Sequence, residues 1–342
     1  MDNADDYPIH PRKKRSKIVS AIAWSLVVLL APMSTAWIIG GWVYWFDVLA
    51  SQQMLIGWIV LGVGALMLIA RRRIPGVICI MLAMVSLYPV CTGRHLTLPG
   101  VDLEHKPDGV IRVVSWNVHP KNVRWKEDVE SLFSTKADII ILIESPWGLL
   151  KSIRKEGFLE STPYPFWAYR RQVEGETSRG IVLSRWPMES IESVDGNTLT
   201  QHDLFTRVQS PLGSFIVGVM HPESPRTYER WIVGNGIVEL QGGTTMQIHQ
   251  QTREPLLIGA DLNAGPAQMR SRMLRKNGLK MTKPILREGG SYPQKNTVPH
   301  FVRVQIDDVW TVGNIGPVSW DMISTSGSDH SAVVVDFALS VE

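Results

Sequence analysis

The sequence predicts an α/β domain preceded by three membrane-crossing helices. Three observations predict it. Between Ile18 and Cys91 of this 342-residue chain the only charged residues are Asp47, Arg71, Arg72 and Arg73. From Val110 onward, short apolar strands are interspersed with polar helices and turns. Polar residues of ligand and acid/base type stand at the ends of those strands. Cys79 and Cys91 both belong to the apolar part, so a disulfide framework is excluded.

Residues 1–17 read as a basic cytoplasmic tail, 18–93 as three spans, 94–110 as a linker and 111–342 as the α/β domain. Ile18–Phe46, Val48–Ala70 and Ile74–Gly93 are uncharged. Each meets the need for about 20 apolar residues per crossing. The first run is too long for a usual signal peptide and two more follow, so an uncleaved helix is expected. Arg12, Lys13, Lys14, Arg15 and Lys17 precede the first run, and Arg71, Arg72 and Arg73 separate the second and third. Basic flanks stay in the cytoplasm, so the Asp47 loop and everything after Gly93 are expected outside. That places the chain in the cell (inner) membrane. In a cell with an outer membrane the α/β domain would then be periplasmic. Trp42, Tyr44, Trp45 and Phe46 read as interface anchors at the outer end of span one. Residues 1–73 hold eight Lys/Arg and four Asp/Glu; the remainder holds 27 and 28. The basic excess belongs to the membrane end, which argues against tight nonspecific binding of nucleic acid.

Pro99 and Pro107 mark residues 94–110 as a linker. Beyond it the strand candidates are Ile111–Trp116, Ile139–Ile143, Gly180–Ser184, Phe205–Gln209, Phe215–Met220, Pro255–Ile258, Val302–Trp310 and Ala332–Phe337. Helices are expected over Lys126–Ser134, Glu229–Gln241 and Gln268–Asn277. Asn117, Glu144, His221, Asp261 and Asn263 end strands, Asp307 lies within one, and Asp329 and His330 precede another. Any one of them is more simply a turn residue or helix cap; eight at comparable positions are not.

The blocks Ser115-Trp116-Asn117, Ile143-Glu144-Ser145, Gly180–Arg185, Met220-His221-Pro222, Gly259-Ala260-Asp261-Leu262-Asn263, Ile306-Asp307 and Gly327-Ser328-Asp329-His330-Ser331 occur in this order. Over about Arg112 to Leu339 the chain resembles the endonuclease/exonuclease/phosphatase superfamily. That superfamily includes DNase-like nucleases, exonuclease-III-like enzymes, sphingomyelinases and inositol-polyphosphate phosphatases. The resemblance implies a sandwich of two β-sheets flanked by helices. It also implies Mg²⁺, with Mn²⁺ as a substitute, bound by Glu144 with Asn117 beside it and Asp329 as a further ligand. Mg²⁺ suits such hard oxygen donors. The lack of Cys and of clustered His in the domain disfavours structural zinc.

By the same resemblance Asp261 orients or deprotonates water and Asn263 donates to the phosphate. His330 contacts the scissile phosphate and is held by Asp307, and His221 assists the leaving oxygen. Which of Asp261 and His330 takes the water proton stays open. On an extended segment Asp261 and Asn263 would point the same way. Where the family has an aromatic residue or His after Ile306-Asp307, this chain has Asp308. Strand alternation puts Val302, Val304, Ile306, Asp308 and Trp310 on one face, expected to meet the core. Arg303, Gln305, Asp307 and Val309 share the other, expected to open on the site. Asp308 is expected to escape into solvent or cap a turn. Arg179 reads as a solvated loop residue at least as readily as a phosphate contact, and 174–178 as an exposed loop. Trp147, Trp167 and Trp186 read as core or rim residues.

These readings converge on a membrane-anchored, metal-dependent phosphoesterase, a phosphodiesterase or nuclease before a phosphatase. Nucleic acid, a lipid headgroup or a small phosphodiester is its substrate, and the bilayer is its other partner. The alternatives are an inactive extracytoplasmic binding module or a phospholipid/inositol-type phosphatase. A transporter is disfavoured because the spans lack ionisable residues.

Overall fold

The computed structural model describes residues 12–169, 180–194, 197–198, 204–287, 289–294, 298–299 and 302–339. Two compact units divide the chain at residue 90.

The first unit contains α1 (Arg12–Ser34), α2 (Ala36–Ile39), α3 (Tyr44–Ala50), α4 (Gln53–Ile69) and α5 (Arg73–Cys91). Two stretches, Lys17–Ile39 and Arg73–Cys91, are long and apolar enough to cross a membrane. A third is counted only if α3 and α4, bent by 72°, act as one span. The uncharged run to Phe46 is therefore not one helix. It stops at Ile39, and a turn at Gly40 follows. A Cβ on Gly40 would lie 2.7 Å from the Asp47 backbone, so the close turn requires glycine. Trp42 lies in the turn, while Tyr44, Trp45 and Phe46 start the next helix. Asp47 is inside α3 and buried, not in an exposed loop. Within the unit, buried Gln53 donates from Nε2 to the Ser34 carbonyl (2.7 Å) and to Ser86 Oγ (2.7 Å). The amide thereby links three apolar segments, as polar side chains do where water is absent.

The second unit contains, in order, β1 (Ile111–Asn117), α6 (Trp125–Phe133), β2 (Ile139–Ile143), α7 (Trp147–Lys155), β3 (Phe166–Tyr169), β4 (Ile181–Ser184) and β5 (Met188–Ser190). Then come β6 (Ser193–Val194), β7 (Asn197–Thr198), β8 (Leu204–Ser210), β9 (Gly213–Met220), α8 (Tyr228–Thr252), β10 (Leu256–Asp261) and α9 (Met269–Lys276). The last strands are β11 (Lys280–Met281), β12 (Asp307–Val312), β13 (Ile315–Ile323) and β14 (Ala332–Leu339). They form two mixed six-stranded sheets, β13-β14-β1-β2-β4-β3 and β11-β12-β10-β9-β8-β5, and a small β6-β7 hairpin.

Each sheet has one parallel pair, β1 with β2 and β9 with β10, joined across α6 or α8. Side chains alternate with the strand period. Val113, Ile141, Val217, Leu257, Val309 and Val335 fill the core between the sheets. Val114, Trp116, Ile140 and Leu142 belong to a second core under α6 and α7, while Ile216, Ile258 and Trp310 belong to a third with Val238 of α8 and Leu274 of α9. The sheets approach closely at Gly259, where a Cβ would meet Ile141 at 2.7 Å. Only glycine fits there, two residues before Asp261.

Several elements differ from the sequence reading. The strand expected over Val302–Trp310 begins at Asp307; before it Val304 makes only an isolated bridge to Tyr292. Both faces of β12 are buried, Val309 between the sheets and Trp310 on the helix side. β13 is a nine-residue strand in a stretch that the sequence reading assigned to no element. It lies at a sheet edge with a register shift at Pro317, where the missing N–H is tolerated. α8 runs eleven residues past Gln241, despite its glycines. A Cβ on Gly234 would lie 2.1 Å from the Arg270 guanidinium, and one on Gly242 2.7 Å from Asn277. Those glycines admit α9.

Residues 94–106 form no helix or strand, yet they are docked as a strap. Arg94 donates to the carbonyls of Lys283 (2.9 Å) and Pro284 (3.1 Å). His95 and Leu96 accept from the backbone of Ile285 and Leu286, and Pro99 accepts from Trp320. Val101 is buried in the core under α6 and α7, and Lys106 pairs with Asp138 at 2.7 Å.

Candidate functional site

The topology gathers the polar residues at one edge. The carboxyl ends of the four parallel strands lie there: β1 ends in Asn117, β2 leads to Glu144, β9 to His221, and β10 ends in Asp261. β12 runs antiparallel to β10, so its first residue, Asp307, pairs with Asp261. β14 runs antiparallel to β1, so Asp329 and His330, just before it, reach the same edge. Asn117, His221, Asp261 and Asp307 continue the odd-numbered register that fills the inter-sheet core. The site is the open end of that core. Glu144 breaks the alternation with a left-handed backbone, φ +52°. Asn263 (φ +50°) and His119 (φ +68°) share that conformation. Such backbone costs about 1–3 kcal/mol per residue and concentrates at functional sites.

Asp261 is the hub. Its Oδ2 accepts from Asn117 Nδ2 at 2.8 Å and lies 3.7 Å from His330 Nδ1 and 3.8 Å from His221 Nε2. Its Oδ1 accepts the Asn263 N–H at 2.8 Å. The chain therefore turns back at Asn263, and the extended geometry expected for Asp261-Leu262-Asn263 is not adopted. Asn263 Nδ2 donates to the Pro222 carbonyl (3.2 Å) and lies 3.4 Å from His221 Nε2. His221 Nε2 is 3.3 Å from Glu144 Oε1, and its buried Nδ1 has no hydrogen-bond partner among the described residues.

His330 is held on several sides. Asp307 Oδ2 is 2.8 Å from its Nδ1. Trp116 Nε1 donates to its carbonyl, and its N–H donates to Ser328 Oγ. Nε2 is left toward Asp329 Oδ1, 3.9 Å away. Burial pulls the imidazole pKa down, but the Asp307 and Asp261 carboxylates outweigh it and push it up to about 10. The two carboxylates thus favour the protonated ring.

All eight residues singled out in the sequence thus form one connected group. The Asn117 contacts are specific: its Nδ2 donates to Asp261 and its Oδ1 accepts the His119 N–H. One detail departs from expectation, the surroundings of Asp308. Asp308 is neither in solvent nor capping a turn. It is buried and accepts from Thr282 N and Oγ1, Lys283 N and Trp320 Nε1. Arg179 and the loop 174–178 lie outside the described residues.

Two contributions were missed. Asp128 of α6 accepts from the backbone of Ser326 and Gly327, fixing the loop that carries Asp329 and His330. Residues 289–294 wrap that loop and Asp307. A Gly-Gly-Ser-Tyr-Pro run reads only as a turn, so the sequence carried no signal for it.

Two sets could hold a cation. Asp261, Asp307 and His330 place ligand-type atoms within 4.8 Å of one another. Within this set His330 Nδ1 is hydrogen-bonded to Asp307 Oδ2, while Asp307 Oδ1 is buried without a hydrogen-bond partner among the described residues. Glu144 and Asp329 add further carboxylates at the same edge. Both offer oxygen donors, the kind a hard cation takes, and Asp329 Oδ1 is buried without a hydrogen-bond partner among the described residues.

A two-sheet α/β sandwich with carboxylates and histidines at the open end of its inter-sheet core is the class that fold and site define. Residues 114–330 match the Endonuclease/Exonuclease/phosphatase family, and the chain belongs to it. Its fold is similar to that of an endonuclease/exonuclease/phosphatase family protein from Bacteroides thetaiotaomicron. That match has 11% identity and a TM-score of 0.51, covering 68% of this chain and 99% of that one. The corresponding Bacteroides vulgatus protein matches at 12% identity and TM-score 0.50, with 68% and 99% covered. The human Nocturnin catalytic domain, at 17% identity and TM-score 0.49, covers 69% of this chain and 97% of its own. No curated protein sequence matches the chain.

Proposed function

We propose that the chain is a membrane-anchored, divalent-metal-dependent phosphodiesterase whose catalytic domain lies outside the cytoplasmic membrane. The observation that carries this is the Asp261 hub, with Asn117, His221 and His330 around one carboxylate oxygen. Members of the family hydrolyse phosphoric esters, which supports the reaction class. Glu144, Asn117 and Asp329 would hold Mg²⁺ or Mn²⁺, and the bound ion would polarise the phosphoryl group and neutralise developing charge.

The chain's own residues supply the rest. Asp261, immobilised by Asn117 and the Asn263 N–H, orients the attacking water. The His330 imidazolium offers Nε2 to a phosphate oxygen while Asp307 keeps the proton on Nδ1. His221, beside Glu144, donates a proton to the leaving oxygen. The Asn263 amide turns from the Pro222 carbonyl to the phosphate. An inactive binding module would have no chemical use for this arrangement.

The test is turnover by the full chain with Mg²⁺ of DNA, RNA, phospholipid vesicles and bis-p-nitrophenyl phosphate. Metal-dependent hydrolysis of at least one is expected. No turnover of any phosphoester would favour the binding module.

A further inference from the structure

His330 depends on one ring nitrogen for its placement by Asp307. A single hydrogen bond leaves an imidazole free to swing, because its second side-chain torsion is broad. The segment 289–294 supplies what is missing. Ser291 Oγ accepts the N–H groups of Ile306 (3.2 Å) and Asp307 (3.1 Å), and its carbonyl accepts the Ser331 N–H (3.0 Å). Tyr292 exchanges backbone hydrogen bonds with Val304, at 3.1 and 2.7 Å. The Gln294 N–H donates to the Asp329 carbonyl at 2.6 Å, and its side chain clasps the backbone of Thr325. Between these anchors the Tyr292 ring lies against the His330 ring, with centroids 4.8 Å apart and planes inclined at 43°. One six-residue segment thus fixes the strand start carrying Asp307, the loop carrying Asp329, and the face of the imidazole.

We propose that Tyr292 is a positioning residue: its ring fixes the plane of the His330 imidazole, so that Nδ1 stays on Asp307 and Nε2 faces the substrate. The proposal rests on the phosphodiesterase reading of the same site. It follows from geometry on three sides. The His330 backbone is held by Trp116 and Ser328, the ring nitrogen by Asp307, and the ring face by Tyr292. Removing the third support leaves the dyad's hydrogen bond but not its direction. A small misplacement of a catalytic group costs about a hundredfold in rate. Binding of substrate by Glu144, Asn263 and the metal would be unaffected.

The experiment compares Tyr292→Phe, Tyr292→Leu and Tyr292→Ala in the full chain, with saturating Mg²⁺ and bis-p-nitrophenyl phosphate as probe. The Phe variant should keep the wild-type kcat within a few-fold. Ala and Leu should lose about a hundredfold in kcat with little change in KM. Leu restores most of the lost volume, so it stays informative if Ala fails to fold. Wild-type kcat in Leu, or a Phe variant as impaired as Leu, would overturn the proposal. A second readout does not need turnover. In histidine-labelled protein the His330 Nδ1–H resonance should be sharp and slowly exchanging in wild type and Phe, and broadened in Leu. An unchanged resonance in Leu overturns the proposal. If the wild type cleaves no phosphoester, the functional reading falls while this resonance still decides the role of Tyr292.

Discussion

Asp307 and Asp308 are neighbours in sequence with different surroundings. Asp307 meets His330 between the sheets, whereas Asp308 accepts four hydrogen bonds from Thr282, Lys283 and Trp320. Asp307→Asn should therefore abolish most activity while the protein stays folded, and the His330 pKa should fall from about 10 toward its ordinary 6.5. Asp308→Asn turns an N–H₂ group toward donors. It should cost about 2 kcal/mol and lower Tm by about 5 °C, with kcat of the folded protein retained. Melting curves and kcat for the two variants check both statements. Strand alternation separated the two aspartates in the sequence. It did not reveal the destination of Asp308, because Thr282 and Trp320 come from distant segments. Buried Lys283 gives a second residue-scale expectation. Desolvation lowers its folded pKa from 10.5 to about 7, with Arg94 adding to the effect and Asp308 opposing it. Between those values the unfolded chain binds the extra proton, so stability should rise with pH by up to about 1.4 kcal/mol per unit. Lys283→Met should remove that slope relative to wild type, as read by denaturant melts from pH 7 to 10. An unchanged slope would mean that the amine is solvated.

At the scale of elements, the strap over residues 94–106 is the largest departure from the sequence reading. Two prolines and polar composition describe a linker, and periodicity cannot detect a segment that docks without forming a helix or strand. Arg94 holds the backbone of Lys283, and the Lys283 amine donates to the Gly289 carbonyl and to Gln305. Gln305 in turn donates to the Asp307 carbonyl. A fragment starting at residue 92 should therefore melt cooperatively and retain activity. One starting at residue 107 should be several degrees less stable and less active, since it loses Val101 from the core under α6 and α7 and leaves the Lys283 carbonyl without the Arg94 donor. Equal melting and activity of the two fragments would make the strap a passive tether. The parallel strands were legible because each is a short, β-branched run ended by a polar residue. β13 and the second half of α8 were hidden by Pro317 and by glycines. Those residues are tolerated at a sheet edge and needed against Arg270 and Asn277, which only the assembled fold shows.

For the whole molecule, the apolar first unit and the second unit make separate claims. The proposed orientation rests on the basic residues at the start of α1 and around the α4–α5 turn: with three crossings it would put the amino terminus in the cytoplasm and the carboxyl terminus outside. The bent α3–α4 pair decides that count. A reporter fused after Glu342 should be active only outside the cytoplasm; activity inside would mean two crossings. The residues that gather at the site were readable from sequence because strand ends are fixed by topology, and one parallel pair in each sheet with two antiparallel strands brings eight residues to one edge. The site's support by Ser291, Tyr292 and Gln294 was not, since it depends on contacts of a loop segment with Asp307, Thr325 and Asp329 that no local pattern announces. The central claim is metal-assisted phosphodiester hydrolysis at that edge, with Glu144 as the principal ligand. It is tested most directly by turnover of bis-p-nitrophenyl phosphate over a Mg²⁺ titration, for wild type and Glu144→Gln. The account expects activity that vanishes on chelation and a variant lower by at least about two orders of magnitude, partly restored by excess Mg²⁺. Metal-independent activity, or a variant equal to wild type in rate and in Mg²⁺ dependence, would contradict it.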